Sequence, residues 1–260
     1  EGKFKLNNLR ILKQFNGCCF ADLDLKQQGV IEDFQLLFYI IQPPTPERVK
    51  YDIFDRVNRG GTPLNKQEMR NALYRGRCTR MLDKLCCSPE FLIATGRSIN
   101  KERMKDQYVV LRAMAFLMLH RGEFKDIPAL QYRGDIDDFL ARFMVYVNDN
   151  APEKLIVDYE NLFIRCMQIS YDLLGENGFR FSGNGIRRPI NMPLFEALSY
   201  LFSFVPEKID YTWASRLILD IESVKEEFDD SRYFSGNIDS TTSVSFRFDR
   251  MDKIINRIQL

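Results

Sequence analysis

The sequence predicts a mainly helical α+β protein in which a small N-terminal sheet is followed by a helical bundle. Three observations lead to this class. Phe4 and Leu6 alternate with lysines, as in a half-buried strand. The run at 34–41, apolar except for Gln35, is typical of a strand buried on both faces, and the proline-rich segment 42–46 ends it. Beyond that stop the apolar residues recur about every 3.6 positions, which is the period of a helix.

The predicted strands are Lys3–Leu6, a short one at Cys19 and Phe20, and the run at 34–41. The chain begins Glu1-Gly2-Lys3 without a methionine, which indicates a processed or truncated chain. We therefore expect this small sheet to pair with strands encoded upstream.

The helices follow in order. Thr45 is a plausible N-cap with Pro46 at the first helical position, and this helix ends near the glycines at 60–61. Asn65 and Glu68 form a capping box that starts the next helix. Helical periodicity predicts further helices at about 78–87, 88–96, 101–121, 135–149, 152–174, 191–203, 211–229 and 248–258. We divide the chain into domains at 1–80 and 81–260 and expect them to pack together.

Composition excludes several classes of protein. Hydrophobic residues make up 45% of the 260 residues, too many for a disordered chain. The chain has one histidine, His120. An HNH nuclease, a His-ligated zinc hydrolase and most Ser-His or Cys-His triads each need a histidine placed among other specific groups, so this composition argues against them. We expect His120 to act as a cation at a helix C-terminus. The acids Asp135, Asp137 and Asp138 suit the first turn of a helix, so we predict no metal site.

Cysteine usage and hydropathy indicate a cytoplasmic protein. The six cysteines include two adjacent pairs and show no disulfide-like spacing, which favours reduced thiols. No apolar run is long enough to span a membrane, so no membrane partner is expected.

Charge gathers in one segment although the total nearly cancels, with 37 basic and 36 acidic residues. Residues 56–80 contain seven basic residues and one acidic residue, around the turn at Gly60 and Gly61. Glycines that admit backbone N–H groups, a helix N-terminus and arginine side chains together suit an anion. The alternative interpretation is a helical corner with solvated arginines.

The segment Tyr51–Gly76, YDIFDRVNRGGTPLNKQEMRNALYRG, resembles the second signature of the N-terminal domain of GmrSD-type restriction proteins. That signature runs I-F-x-R-hydrophobic-N-x-G-G-x-x-L-N-x-Q-E-hydrophobic-R-N-A, and the match is ungapped. Weaker similarity to standalone members of this family extends over Lys3–Leu6, Gln107–Phe116, Arg133–Phe143, Arg187–Asn191 and Arg247–Phe248.

The resemblance implies a ParB/sulfiredoxin-like nucleotide-binding fold, of which residues 1–80 would be the C-terminal part. It also implies control of attack on modified foreign DNA through a nucleoside triphosphate with Mg²⁺. By this resemblance the nucleotide or phosphate contacts are Arg56, Asn58, Gly60, Gly61, Gln67 and Arg70. For Asn65 and Glu68 a capping box is a sufficient explanation.

The family's first signature, D-G-Q-Q-R, is absent from this chain. We therefore expect no nucleoside triphosphate hydrolysis by the chain itself. The leading functional hypothesis is a nucleotide-responsive component of a bacterial restriction or anti-phage system that acts on or senses DNA. Its expected partners are DNA and an HNH nuclease or other defence subunit, and the resemblance leaves an oligomer open.

Two alternatives remain at this point. One is a non-enzymatic helical module that binds DNA or a protein, and the other is an independent hydrolase. The hydrolase lacks a convergent nucleophile, base and orienting group. Outside the signature, Arg187 and Arg188 follow a glycine-containing loop and are candidate contacts to DNA or phosphate.

Overall fold

The computed structural model describes residues 4–38, 40, 42, 47–58, 63–182, 187–206, 208, 210–234 and 236–258. The chain divides into two compact units, Glu1–Lys50 and Tyr51–Leu260. Compactness does not by itself define a folding domain, so the division at residues 80 and 81 stays a prediction.

The helices follow the predicted order closely. They are α1 (Leu25–Glu32), α2 (Glu47–Asn58), α3 (Lys66–Leu73), α4 (Arg77–Cys86), α5 (Pro89–Ala94), α6 (Lys105–His120), α7 (Ile136–Asp149), α8 (Glu153–Leu174), α9 (Met192–Phe202), α10 (Tyr211–Asp229) and α11 (Thr241–Ile258). Short 3₁₀ turns lie at Lys13–Phe15, Phe20–Asp22, Glu102–Met104, Pro128–Leu130, Gly175–Asn177 and Arg232–Phe234. α1 has no counterpart in the prediction, and α11 begins at Thr241 rather than at residue 248.

Side-chain caps explain where several helices begin. Ser88 accepts the N–H of Phe91 at 3.3 Å to start α5, with Pro89 at the first helical position. Asp135 accepts the N–H groups of Asp137 and Asp138 at 3.0 and 3.1 Å to start α7. The interpretation of these three acids as a helix start is therefore confirmed.

α6 and α9 form the middle of the helical core in the unit Tyr51–Leu260. Every residue from 109 to 118 in α6 and from 193 to 202 in α9 is buried. A helix that is apolar on all sides needs neighbours all around it. α6 packs against α4, α7 and α9, and α9 packs against α8 and α11. On α9, the Phe195 ring lies 6.2 Å from the ring of Phe91 on α5 and 4.3 Å from the ring of Phe179, centroid to centroid.

The predicted N-terminal sheet is wrong for the residues that the structure describes. Leu6 donates to Cys18 and accepts from Gly17, at 2.9 and 2.7 Å, but the pairing extends no further. Phe20 lies in a 3₁₀ turn, and the run from Phe34 to Phe38 is irregular. A strand needs a neighbour for its N–H and C=O groups, and alternation in the sequence does not supply one.

The unit Glu1–Lys50 contains little core of its own. Among its described residues, Leu23 is the one buried apolar side chain, at 8% exposure. The side chains of the expected strand at 34–41 are largely exposed wherever they are described, as at Leu37 and Phe38. The apolar side chains of this run therefore have no second layer of described residues that buries them.

His120 ends α6, but the expectation of a cationic cap there is wrong. Its ring stacks on Phe248 with centroids 3.6 Å apart, and its Nε2 is buried without a hydrogen-bond partner among the described residues. Burial, helped by the positive charge of Arg247, lowers the pKa of His120 to about 3. The imidazole is therefore neutral at ordinary pH.

Within the described part of the chain, no helix combines the length and the apolar character that crossing a bilayer requires. None of the six cysteines, all of which the structure describes, forms a disulfide. Cys78, Cys86 and Cys166 are buried, and burial raises the pKa of Cys166 to about 12. Such thiols are poor nucleophiles, which fits a packing role.

Candidate functional site

The signature segment Tyr51–Gly76 extends from α2 through α3. Arg56 is exposed in the last turn of α2. Asn58 is the last residue of that helix, and its side chain is outside the described part of the structure. The predicted turn residues Gly60 and Gly61 also lie outside the described residues.

The start of α3 is closed by a capping box. The Asn65 side-chain oxygen accepts the N–H groups of Gln67 and Glu68 at 2.8 and 2.9 Å, and the Glu68 carboxylate accepts the N–H of Asn65 at 2.6 Å. The bond from the Asn65 backbone lowers the pKa of Glu68, against the effect of burial, and Arg103 lowers it further. The capping interpretation of Asn65 and Glu68 is confirmed. These N–H groups are therefore already occupied.

Gln67 and Arg70 point into the protein, with exposed fractions of 3% and 1%. Arg70 donates to the Gln67 side-chain oxygen at 2.9 and 3.1 Å and to Asp137 at 2.8 Å. Gln67 donates in turn to Asn71 at 2.8 Å. Arg70 therefore fastens α3 to α7, and Gln67 holds the Arg70 guanidinium from within α3. A role of either side chain in contacting a nucleotide stays a prediction.

Asp137 on α7 accepts hydrogen bonds from Lys66 and Arg70 of α3. Burial alone would raise the pKa of Asp137, but hydrogen bonds and charge from Lys66 and Arg70 outweigh it and lower the pKa. A carboxyl group with a lowered pKa stabilises the fold above its unfolded pKa of about 3.9, and this contribution disappears as the pH falls through the folded value.

We expect the difference in unfolding free energy between the wild type and Asp137→Asn to be constant above about pH 5 and to shrink below about pH 4. Urea denaturation over this pH range measures it. Asp138→Asn is the matched control, since Asp138 is an exposed partner of Arg142 and should cost under about 1 kcal/mol. A difference in unfolding free energy that stays constant down to about pH 2.5 would contradict the lowered pKa.

The loop between α5 and α6 is hydrogen-bonded to the beginning of α3, and we call the bonds of Arg103 to Pro63, Asn65 and Glu68 the clasp. Arg103 donates to the carbonyl oxygen of Pro63 at 2.6 Å and to Glu68 at 3.1 Å, while the Asn65 side chain donates to the Arg103 carbonyl oxygen at 2.7 Å. Arg103 and Met104 both have left-handed backbone angles, with φ of 58° and 57°. Holding two such residues costs energy, and the clasp supplies the contacts that hold them.

Sequence reasoning missed this loop, although one signal was present. Residues 97–105 contain four basic residues and one acidic residue. The contacts between this loop and the start of α3 join residues 35 to 40 positions apart in the sequence, and a local sequence pattern does not reveal such contacts.

A cavity of about 360 Å³ opens beside the same loop, and we call it the α5–α6 cavity. It is lined by Phe91, Leu92, Thr95, Arg97, Ile99, Asn100, Lys101 and Asp106. Three of these residues are apolar, two are cationic, and Asp106 is a buried carboxylate with 7% exposure. The cavity therefore offers groups of both charges beside an apolar wall.

Arg187 lies against Gly96, in the loop between α5 and α6. Gly96 has φ of +58°, and a Cβ there would meet Nη2 of Arg187 and lie 2.7 Å from the Glu176 carboxylate. Arg187 forms an ion pair with Glu176 at 2.7 Å, and Arg188 pairs with Asp229. The two predicted DNA or phosphate contacts are thus 45% and 39% exposed, and each is already paired with a carboxylate.

Among the residues described, no three His, Cys, Asp or Glu side chains lie close enough together to hold a metal ion. Comparison with known proteins gives no relative, since no family model, curated protein or solved structure matches the chain. The resemblance to GmrSD-type restriction proteins therefore depends on its motifs, above all on residues 51–76.

Proposed function

We propose that this protein is a cytoplasmic, nucleotide-responsive component of a bacterial restriction or anti-phage system that acts on or senses DNA. The observation that carries the proposal is the ungapped signature at residues 51–76. Nucleotide binding, rather than hydrolysis, is the activity assigned to this chain. Nucleotide binding would control how the protein acts on DNA or on a nuclease partner.

The position of the second part of the signature supports a binding role. Arg103 holds Pro63 and Glu68, so the residues from Pro63 onwards have a defined position. Arg56 precedes the predicted turn in the sequence, and its side chain is exposed. A guanidinium group presents paired N–H donors that match phosphate oxygens. Because few protein ligands are needed for Mg²⁺ at nucleotide sites, the ion would enter with the phosphates.

Replacing Arg56 by alanine should weaken the binding of Mg²⁺-bound ATP or GTP by about ten- to a hundredfold, because a charge-assisted hydrogen bond contributes about 1.5–3 kcal/mol. Isothermal titration calorimetry measures this. Arg216→Ala, at a solvent-accessible arginine on α10, is the matched control and should leave the affinity unchanged.

The same Arg56 variant should lower the free energy of unfolding by less than about 1 kcal/mol, since the side chain is exposed. An unchanged affinity together with a large loss of stability would make Arg56 a structural residue. That result would remove the main support for the proposed function.

A further inference from the structure

We propose that the α5–α6 cavity binds a guanine mononucleotide, with the phosphate against Arg97 and Lys101 and the base against Asp106. This site goes beyond the proposed function, because it lies outside residues 51–76. It also uses cations that the signature does not contain.

Arg97 and Lys101 are the two cations that line the cavity, and we assign the phosphate to them. Both side chains are exposed, and neither forms an ion pair with another residue that the structure describes. The loop places a guanidinium and an ammonium group at one cavity, and each can donate several hydrogen bonds. A phosphate group accepts such bonds from both.

Asp106 is the lining residue that we assign to the base. Its exposed fraction is 7%, and one carboxylate oxygen accepts the N–H of Gln107 at 2.8 Å. Each carboxylate oxygen has two acceptor sites, so capacity remains for a ligand. The first turn of α6, a 16-residue helix, favours a negative charge at this position. A phosphate is repelled here, whereas an N–H donor is attracted.

Guanine matches the Asp106 carboxylate better than adenine does. Its Watson–Crick edge presents a ring N–H beside an amino group, and two parallel donors fit one carboxylate. Adenine presents an unprotonated ring nitrogen at the corresponding place. A buried carboxylate facing that nitrogen would lose hydrogen-bonding capacity, and such losses discriminate strongly between ligands.

The apolar wall suits the flat face of a base. Phe91 and the half-buried Leu92 and Ile99 line it. At about 360 Å³ the cavity is near the lower end of ligand pockets, which hold roughly 300–1,000 Å³. This size suits a mononucleotide better than a dinucleotide.

Isothermal titration calorimetry on the full chain tests the site with GMP, IMP, AMP, guanosine and inorganic phosphate as probes. We expect GMP to bind at least tenfold more tightly than AMP, guanosine or phosphate. IMP, which lacks the amino group, should be intermediate. The double variant Arg97→Gln, Lys101→Gln should weaken GMP binding at least tenfold, whereas Arg216→Gln with Lys154→Gln should not change it.

Asp106→Asn should abolish the preference for GMP over AMP, and circular dichroism checks that this variant is folded. Since Asp106 is buried, the comparison of GMP, IMP and AMP on the wild type decides the base preference even if the variant unfolds. Equal affinity for GMP and AMP, or GMP binding no tighter than that of phosphate, would overturn the proposal.

Arg56→Ala separates this inference from the proposed function and should leave GMP binding unchanged. Arg56-dependent binding of ATP or GTP without any GMP preference would refute the cavity site alone. GMP binding through Arg97 and Lys101, with no nucleotide effect at residues 51–76, would support the cavity site and refute the proposed function.

Discussion

Replacing Glu196 by glutamine is expected to lower the free energy of unfolding by about 3–5 kcal/mol, because it leaves buried charges uncompensated. Glu196 on α9 is fully buried between Arg112 of α6 and Arg247 of α11, which are 1% and 0% exposed. Each arginine donates to one of its carboxylate oxygens, at 2.7 Å from Arg247. Glutamine keeps the shape but leaves two buried cations short of one negative charge.

The pKa of Arg112 shows that the negative charge of Glu196 stabilises the buried guanidinium. Burial alone would lower the pKa of Arg112, but the charge of Glu196, together with hydrogen bonds to Asp239 and Glu196, raises it. The nearest compensating group left in the variant is Asp239, which bonds Arg112 at 2.6 Å. Arg247 would retain its bond to the carbonyl oxygen of Ile238, also at 2.6 Å.

Thermal and urea denaturation measure the loss, and Glu227→Gln is the control. Glu227 pairs with Arg250 at 2.6 Å in a partly exposed position, with 40% and 31% of the two side chains exposed, so its loss should cost under about 1 kcal/mol. Equal destabilisation by the two substitutions would show that burial of the triad adds nothing to the stability of the helical core.

Replacing Arg70 by methionine is the second large effect, and we expect a loss of about 2–4 kcal/mol. Methionine fills much of the space but removes the bond to Asp137 and leaves the buried oxygen of Gln67 without its two donors. Arg75→Met, at an exposed position one residue after the C-cap of α3, should change stability by less than about 0.5 kcal/mol.

Denaturation and nucleotide titration together decide the role of Arg70. A stable Arg70→Met variant with greatly weakened nucleotide binding would contradict the structural role and make Arg70 a ligand contact. We expect a destabilised variant. Nucleotide binding that is retained at low temperature would remove Arg70 from the predicted nucleotide contacts.

The helices were predictable because their signals are local. Asn65 and Glu68 cap α3 across three residues, and the Pro89 start of α5 is set by its neighbour Ser88. The sheet was predicted wrongly because strand pairing depends on partners elsewhere, and Phe4, Leu6 and the run at 34–41 form no strand among the described residues.

The candidate site was predictable only in part for the same reason. Arg56 could be named from the signature, and the structure shows its side chain exposed. Arg70 carries the same charge, yet its partner Asp137 lies 67 residues away, and this distant contact buries it. The clasp of Arg103 on Pro63, 40 residues apart, was equally beyond local reasoning.

Hydrogen–deuterium exchange of the full chain, with and without Mg²⁺-bound ATP, GTP, CTP or UTP, tests the central claim most directly. Exchange of backbone N–H groups reports local opening, and a bound ligand slows it where it stabilises the structure. The proposed function predicts slower exchange across residues 51–76 with at least one triphosphate, and no slowing there in Arg56→Ala. Identical exchange of residues 51–76 with and without every one of these triphosphates would contradict a nucleotide-responsive protein.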